Sequence, residues 1–321
     1  MFFDIMNSGD PQEWRDLIWA LNSPSLLADG HCSLATEEAA DPGRIDPDEV
    51  VSFIRQQPTR RVGRYFERLL YFYLSRIRRA DIIASGLQIR DDSRTLGELD
   101  FVFQNRYSPG LDRHSGSLLT HWETAVKFYL WCPDRTVEGS HLIGPNAADT
   151  FERKVTRLLQ HQLPLGQTTR TAEELRNARD ALDSSPETVD VEKPKSQAFV
   201  KGRIFYPAEF GQSHGSHTEC SHPDQLSSAH LRGVWLKESQ LDLFEEFPAD
   251  RFAFVEKPYW LAPPERFELS AVTVIDRLRS HFQQSRYPQL LACCRRPAAS
   301  GEDEAQHVFV MPNEWPVPAA V

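Results

Sequence analysis

Two stretches constrain this chain more than any other. Gly97-Glu98-Leu99-Asp100-Phe101-Val102-Phe103 and His121-Trp122-Glu123-Thr124-Ala125-Val126-Lys127-Phe128-Tyr129-Leu130 both read as strands, and both carry ionisable side chains on an otherwise apolar ribbon. Charge placed beside a core lowers stability unless a partner compensates it. Within a strand alternate residues share a face, which predicts Glu98, Asp100 and Val102 on one side and Leu99, Phe101 and Phe103 in the core. The same rule groups Glu123, Ala125 and Lys127. If the two strands are neighbours, Asp100 and Glu123 converge with Lys127 close by.

The 321 residues, 40% of them hydrophobic, suffice for one large domain or two ordinary ones. The first thirty residues include Asp10, Glu13, Arg15 and Asp16 and lack the basic start and apolar run of a signal peptide. No window approaches the length of an apolar membrane span. Five cysteines, Cys32, Cys132, Cys220, Cys293 and Cys294, fall in no repeated spacing, which argues for a reducing compartment and a cytoplasmic protein. The net charge of −10 does not advertise a nucleic-acid binder, yet a whole-chain sum can hide a local patch.

That patch lies in the helix predicted over 61–79, where Val62, Phe66, Leu69, Leu70, Tyr73 and Ile77 form an apolar stripe. Residues 51–80 hold eight arginines, Arg60, Arg61 and Arg64 among them, against one acid, Glu67. A solvated face with snorkelling stems is the ordinary explanation of such a run. Glu67 lies beside the stripe, about 60° from Leu70 by the 100° step of a helix. Earlier, Trp14, Leu17, Ile18 and Leu21 mark a helix broken at Asn22-Ser23-Pro24-Ser25, and Asp46-Pro47 makes an N-cap followed by proline at the first helical position. Strands are predicted at 82–89, 97–103 and 120–131, with a loop at Ser108-Pro109-Gly110 between the last two. A helix from Asp149 carries Phe151, Val155, Leu158, Leu159 and Leu163 and ends by Pro164. Residues 166–196 turn polar and read as a linker in which 171–182 can form a short helix. Further strands are expected at 198–207, 231–236, 252–255 and 308–311, and a helix around 269–284.

Two carboxylates bind a hard cation such as Mg²⁺ or Mn²⁺, which keeps several waters. Such an ion can activate water and offset charge on a phosphodiester, and a lysine can stabilise the crowded transition state. These are the parts of a hydrolytic nuclease.

The order helix with Glu67, Gly-Glu-Leu-Asp-Phe-Val-Phe, strand with Glu123 and Lys127, then helix resembles the core of the PD-(D/E)XK nuclease superfamily. More narrowly, Gly-Arg-Tyr-Phe-Glu-Arg-Leu at 63–69, the run His121 to Leu130, Gly144-Pro145-Asn146, Lys154 and His161-Gln162-Leu163 are similar to the bacterial family DUF1853. That similarity extends through Phe199-Val200-Lys201-Gly202-Arg203 and Gly233-Val234-Trp235-Leu236 and brings no established activity with it. The nuclease resemblance implies that Asp100 is the first metal ligand, Lys127 the motif lysine and Glu67 the additional helix carboxylate. The chain departs from the pattern at the acid, for Ala125 stands two residues before the lysine and Glu123 four before it. Period-two geometry keeps Glu123 on the same face but moves it about 7 Å along the strand. Three outcomes stay open: Glu123 still reaches the ion, Glu98 substitutes for it, or the site is degenerate and binds without cutting.

The expected architecture is therefore α/β. A helical extension (1–48) precedes a restriction-endonuclease-like core of mixed sheet flanked by helices (49–165). The polar linker (166–196) then leads to an α+β region (197–321). The expected activity is metal-dependent hydrolysis of nucleic-acid phosphodiesters, with Asp100, Glu123 and Glu67 as ligands and Lys127 as electrostatic catalyst. The alternative is a nucleic-acid- or protein-binding module on the same scaffold. Arg60, Arg61, Arg64, Lys154, Arg157 and Gln162 are the candidate nucleic-acid contacts, against an equal reading of the last three as the polar face of a helix. His121 and Trp122 are expected in the core more than on a base-stacking platform. His214, His217, Cys220 and His222 have zinc-ligating chemistry, but they sit in a polar loop without a matching second pair, so incidental histidines are expected and zinc is not. Cys293-Cys294 suits neither zinc chelation nor an ordinary bridge and reads as a buried or unreactive pair.

Overall fold

The computed structural model describes residues 9–35, 41–91, 94–104, 119–182, 193–208, 222–247, 249, 251–295 and 304–317. The loop around Pro109 and the residues His214, His217 and Cys220 lie outside them.

Helix α1 (Gln12–Asn22) ends at the predicted Asn-Ser-Pro break, and the Asp46 side chain accepts from Asp48 N to start α2 (Pro47–Arg55). Helix α3 (Val62–Phe72) continues as a π turn over Tyr73–Ile77. The chain then builds a meander of β1 (Asp81–Asp91), β2 (Arg94–Gln104) and β3 (Thr120–Trp131), with the two-residue β4 (Leu142–Ile143) antiparallel to β3. Helix α4 (Phe151–Arg157) passes through a π turn at Leu158–Gln162 into α5 (Leu163–Leu165). The segment ends at Leu165, one residue past the expected stop at Pro164. Proline breaks a helix by lacking one N–H and crowding the preceding turn, and the wider π turn immediately before it relieves both.

Helix α6 (Thr169–Leu182) occupies the polar segment, and β5 (Lys195–Pro207) follows, parallel to β3. Strands β6 (Leu231–Lys237), β7 (Arg251–Phe254), β8 (Gln289–Arg295) and β9 (Glu304–Met311) and helix α7 (Ala271–Gln284) complete the described elements. β8 was not expected from the sequence. It contains Cys293, which is buried and whose thiol burial pushes up to about 12, and Cys294, which is half-buried.

All strands join one mixed sheet in the order β1-β2-β3-β5-β6-β9-β8-β7, with β4 beside β3. The run β3-β5-β6-β9 is parallel and both ends are antiparallel. Helices α1 to α3 cover one face through Trp14, Trp19, Phe66, Leu70 and the sheet residues Phe101, Phe103, Trp122 and Phe199. Helices α4 to α7 cover the other, Phe151, Val155 and Leu158 packing on Tyr129, Val200 and Ile204. Strands β3 and β5 approach so closely that a Cβ on Gly202 would lie 1.9 Å from the Lys127 carbonyl oxygen, so only glycine fits there.

A candidate acid centre at a strand fork

β2 and β3 pair only at Phe101–Trp122, Val102–His121 and Phe103–Thr120. Beyond that ladder they part. Instead of continuing it, Asp100 turns its carboxylate to β3, where Oδ2 accepts from Thr124 N at 2.7 Å and Thr124 Oγ1 at 3.1 Å. Leu99 and Val102, three apart, share a cluster with Leu165 and Leu175, whereas Phe101 and Phe103 face α3. The expectation that Leu99 joins those two phenylalanines is corrected: Leu99, opposite Leu87 on β1, packs under Leu165 and Leu175 instead.

On β3 the predicted face is realised. Glu123, Ala125, Lys127 and Tyr129 point toward α4, and Ala125 packs in its apolar cluster. Ala125, half-buried between Glu123 and Lys127 on this face, supplies no ligand at the usual acid position. Glu123 is 0% exposed, and each of its two carboxyl oxygens has one partner. Its Oε2 accepts from Gln162 Nε2 at 2.6 Å and its Oε1 lies 3.3 Å from His121 Nε2. A carboxylate only accepts, so Nε2 carries the proton and His121 Nδ1 is left to accept from Ser196 Oγ at 3.0 Å. Burial holds His121 down to about 4, which keeps it neutral. Trp122 is a core residue between Phe103 and Phe199.

The cation facing the acids comes from the helix. Lys154 Nζ donates to Gln162 Oε1 at 2.8 Å, so one amide couples the ammonium to Glu123. Burial first, then Lys127, lowers the Lys154 pKa, and the negative charges of Glu123 and Asp100 oppose this. Lys127 instead donates to Asp149 Oδ2 at 2.6 Å, each side chain 33% exposed, with Tyr129 Oη at 3.4 Å from the same oxygen. The sequence reading began this helix at Asp149, whereas α4 starts at Phe151 behind the N-cap Thr150, and it did not pair Asp149 with Lys127. It gave Lys154 and Gln162 as phosphate contacts or the polar face of a helix, and not as partners of each other. Their spacing of about two helical turns was the available signal that they share a face.

Burial, followed by repulsion from Glu123, pushes Asp100 up to about 6, against the two Thr124 hydrogen bonds and Lys154. Burial raises Glu123 to about 7, with Lys154 and Arg157 pulling the other way and Glu98 and Glu67 adding to the rise. Glu67 approaches from the α3 layer and pairs with Arg64 at 2.8 Å. Burial raises its pKa, Arg64 opposes, and Asp100 and Glu98 add to the increase. Its charge therefore registers at the fork. Among the described residues, however, no three His, Cys, Asp or Glu side chains converge as a ready metal-ligand set.

Of the remaining predicted contacts, Arg60, Arg61, Arg64 and Arg157 are exposed. Much of the basic run is already engaged: Arg55 pairs with the buried Glu13 and Arg78 covers the rings of Phe103 and Trp122. In the former histidine cluster, His222 lies 3.1 Å from Tyr206 Oη, which also meets His230 at 2.8 Å. Among the described residues no helix is long and apolar enough to cross a membrane.

The family model described as a domain of unknown function, DUF1853, matches residues 15–311. Searches against curated proteins and against solved structures return no match.

Proposed function

We propose that this chain, which belongs to the DUF1853 family, hydrolyses nucleic-acid phosphodiester bonds with a divalent cation, Mg²⁺ or Mn²⁺, held by Asp100 and Glu123. The observation that carries the reading is the pair itself: two carboxylates buried at the strand fork, pushed up to about 6 and about 7 chiefly by burial, with repulsion from Glu123 adding to the rise of Asp100 and Glu98 and Glu67 to that of Glu123. A hard cation relieves that repulsion. The donor set fits. Asp100 Oδ1 takes no hydrogen bond among the described residues, and each Glu123 oxygen takes only one, which leaves lone pairs for coordination. When bound, the cation would act as a Lewis acid toward water and the scissile phosphate. Lys154, held at the pair by Gln162, donates to a non-bridging phosphate oxygen, while Glu67 adds negative charge from the α3 side. The order α3, the β1-β2-β3 meander, α4 and β5 parallel to β3 supports a PD-(D/E)XK-like core.

A second reading is a degenerate, binding-only site. It is favoured by the partner that each Glu123 oxygen already has and by the lack of a three-ligand set among the described residues. Incubation with plasmid, single-stranded DNA and RNA in Mg²⁺ or Mn²⁺ separates the two. Cleavage that is lost in Asp100→Asn supports the enzyme. Binding of nucleic acid without metal-dependent cleavage supports the second reading.

A further inference from the structure

A cleft of about 600 Å³ opens between the α2–α3 connection, α3 and the β1-β2 hairpin. Its size lies in the range of clefts that take a small organic molecule. One wall is aromatic, made by Phe53, Tyr71 and Phe101. Tyr71 is 37% exposed and lies nearly parallel to Phe53, with ring centroids 6.1 Å apart at 14°. It is among the few large apolar side chains exposed on the described molecule.

The cleft also holds a fixed cation. Arg68 donates through Nη1 to Gln57 Oε1 at 2.6 Å and through Nη2 to the Phe53 carbonyl at 2.7 Å. Its guanidinium carbon lies 4.8 Å from the Phe53 ring centroid. Its Nε is buried without a partner, and among the described residues no carboxylate pairs with it. Arg64, on the same rim, neutralises Glu67 at 2.8 Å, so the charge of Arg68 is the surplus in the cleft. A rigid guanidinium without a counter-anion beside an open aromatic face recognises a flat ring bearing an anionic group.

We propose that this cleft binds one unpaired nucleotide, its base stacked on Tyr71 and its phosphate on Arg68. Base stacking on aromatic side chains requires the base to be splayed from any duplex, so a site that works by stacking on Tyr71 takes unpaired bases. Because Phe101, the chain neighbour of Asp100 on β2, lines the cleft together with Glu67, a strand entering here lies beside the acid-bearing strand. The inference thus deepens the phosphodiesterase reading and rests on it for the nature of the ligand.

The test is binding measured in EDTA, where no metal-dependent cleavage can occur. Fluorescence anisotropy of the full chain with a labelled single-stranded 12-mer and with its duplex is compared between parent, Tyr71→Ala, Tyr71→Phe and Arg68→Gln. Calorimetry with AMP, adenosine and ribose 5-phosphate asks whether base and phosphate are both needed. Tyr71→Ala and Arg68→Gln should each weaken single-strand binding about tenfold, and Tyr71→Phe should leave it within about twofold. AMP binding with the same sensitivity identifies the free nucleotide as a sufficient ligand, whereas dependence on the oligonucleotide identifies the strand; either supports the cleft. Single-strand affinity unchanged in Tyr71→Ala overturns it, and a thermal midpoint measured alongside Tyr71→Phe, which keeps the ring on Phe53, separates a lost contact from lost folding. Equal affinity for duplex overturns the proposal as well. Tyr71-dependent binding without cleavage in Mn²⁺ leaves the cleft standing and removes the enzyme. Cleavage with Tyr71-independent binding does the reverse.

Discussion

At the scale of residues, two lysines separate what sequence spacing offers from what packing delivers. Lys127 sits on the predicted strand face, but Asp149 reaches it first at 2.6 Å, while Lys154 meets the acids through Gln162. If phosphodiester cleavage is measured in Mn²⁺, Lys154→Met should lower kcat about 100-fold, the usual loss when one donor to developing charge is removed. Lys127→Met should lower it far less, and an equal loss in both would return the role to Lys127. The carboxylates Glu98, Asp100 and Glu123 were legible because charge on an apolar strand is conspicuous. The choice between lysines was not, because it depends on where a crossover helix ends up over the sheet. Asp16 gives a residue-scale test of burial alone. It accepts from Gln12 Nε2 and Ala262 N on Oδ1 and from Tyr65 Oη on Oδ2, and burial pushes it up to about 7. The folded state therefore keeps a proton that the unfolded state has lost between about pH 4 and pH 7, so stability falls as pH rises through that window and levels off above it. Asn fits the same pattern, its oxygen accepting twice and its amide donating to Tyr65 Oη. Asp16→Asn should raise stability at pH 8 by about 1–3 kcal/mol and flatten the fall between pH 4 and pH 7 in urea titrations.

At the scale of elements, amphipathic period and capping located α1, α2, α3 and α7, and alternation located β2, β3 and β5, because those signals are local. β8 escaped because Gln289 to Arg295 has neither strict alternation nor strong turn signals around Cys293-Cys294, and its place is fixed by pairing to β9. The π turn at Leu158–Gln162 was likewise invisible, although it is what swings Gln162 to Glu123 and lets the helix run past Pro164. The parallel contact of β3 with β5 rests on Gly202, and it carries the acid-bearing strand into the rest of the sheet. Gly202→Ala places a methyl 1.9 Å from the Lys127 carbonyl oxygen, a clash with backbone that no rotamer relieves. The variant should lose about 3 kcal/mol or more, read as a lower thermal midpoint or as loss of soluble protein. At Gly166, by contrast, an added Cβ would meet side-chain atoms, Ser196 Oγ at 2.5 Å and His121 Nδ1 at 2.6 Å. Gly166→Ala should fold with a smaller loss of about 1–2 kcal/mol and disturb the His121–Glu123 bond.

At the scale of the whole molecule, one sheet takes strands from both sides of the polar segment, so a change at the acid pair is felt in global stability. Asp100 and Glu123 are both held above their ordinary values, which means the fold forfeits stability as they ionise with rising pH. A cation bound between them reverses that penalty, and protons compete with it for the same oxygens. Mn²⁺ in large excess should therefore raise the thermal midpoint by about 2–4 °C at pH 8, where both groups are ionised, and by little at pH 5, where both are protonated. Asp100→Asn should abolish the shift at pH 8 while raising the metal-free midpoint, since one of the two repelling charges is gone. The pairing of those two effects is what distinguishes a site built for a cation from nonspecific binding to an acidic surface. Nonspecific binding would survive Asp100→Asn, and its pH dependence would follow surface carboxylates that finish ionising well below pH 6. A shift of equal size at pH 5 and pH 8, or one retained in Asp100→Asn, would place the metal elsewhere on this molecule.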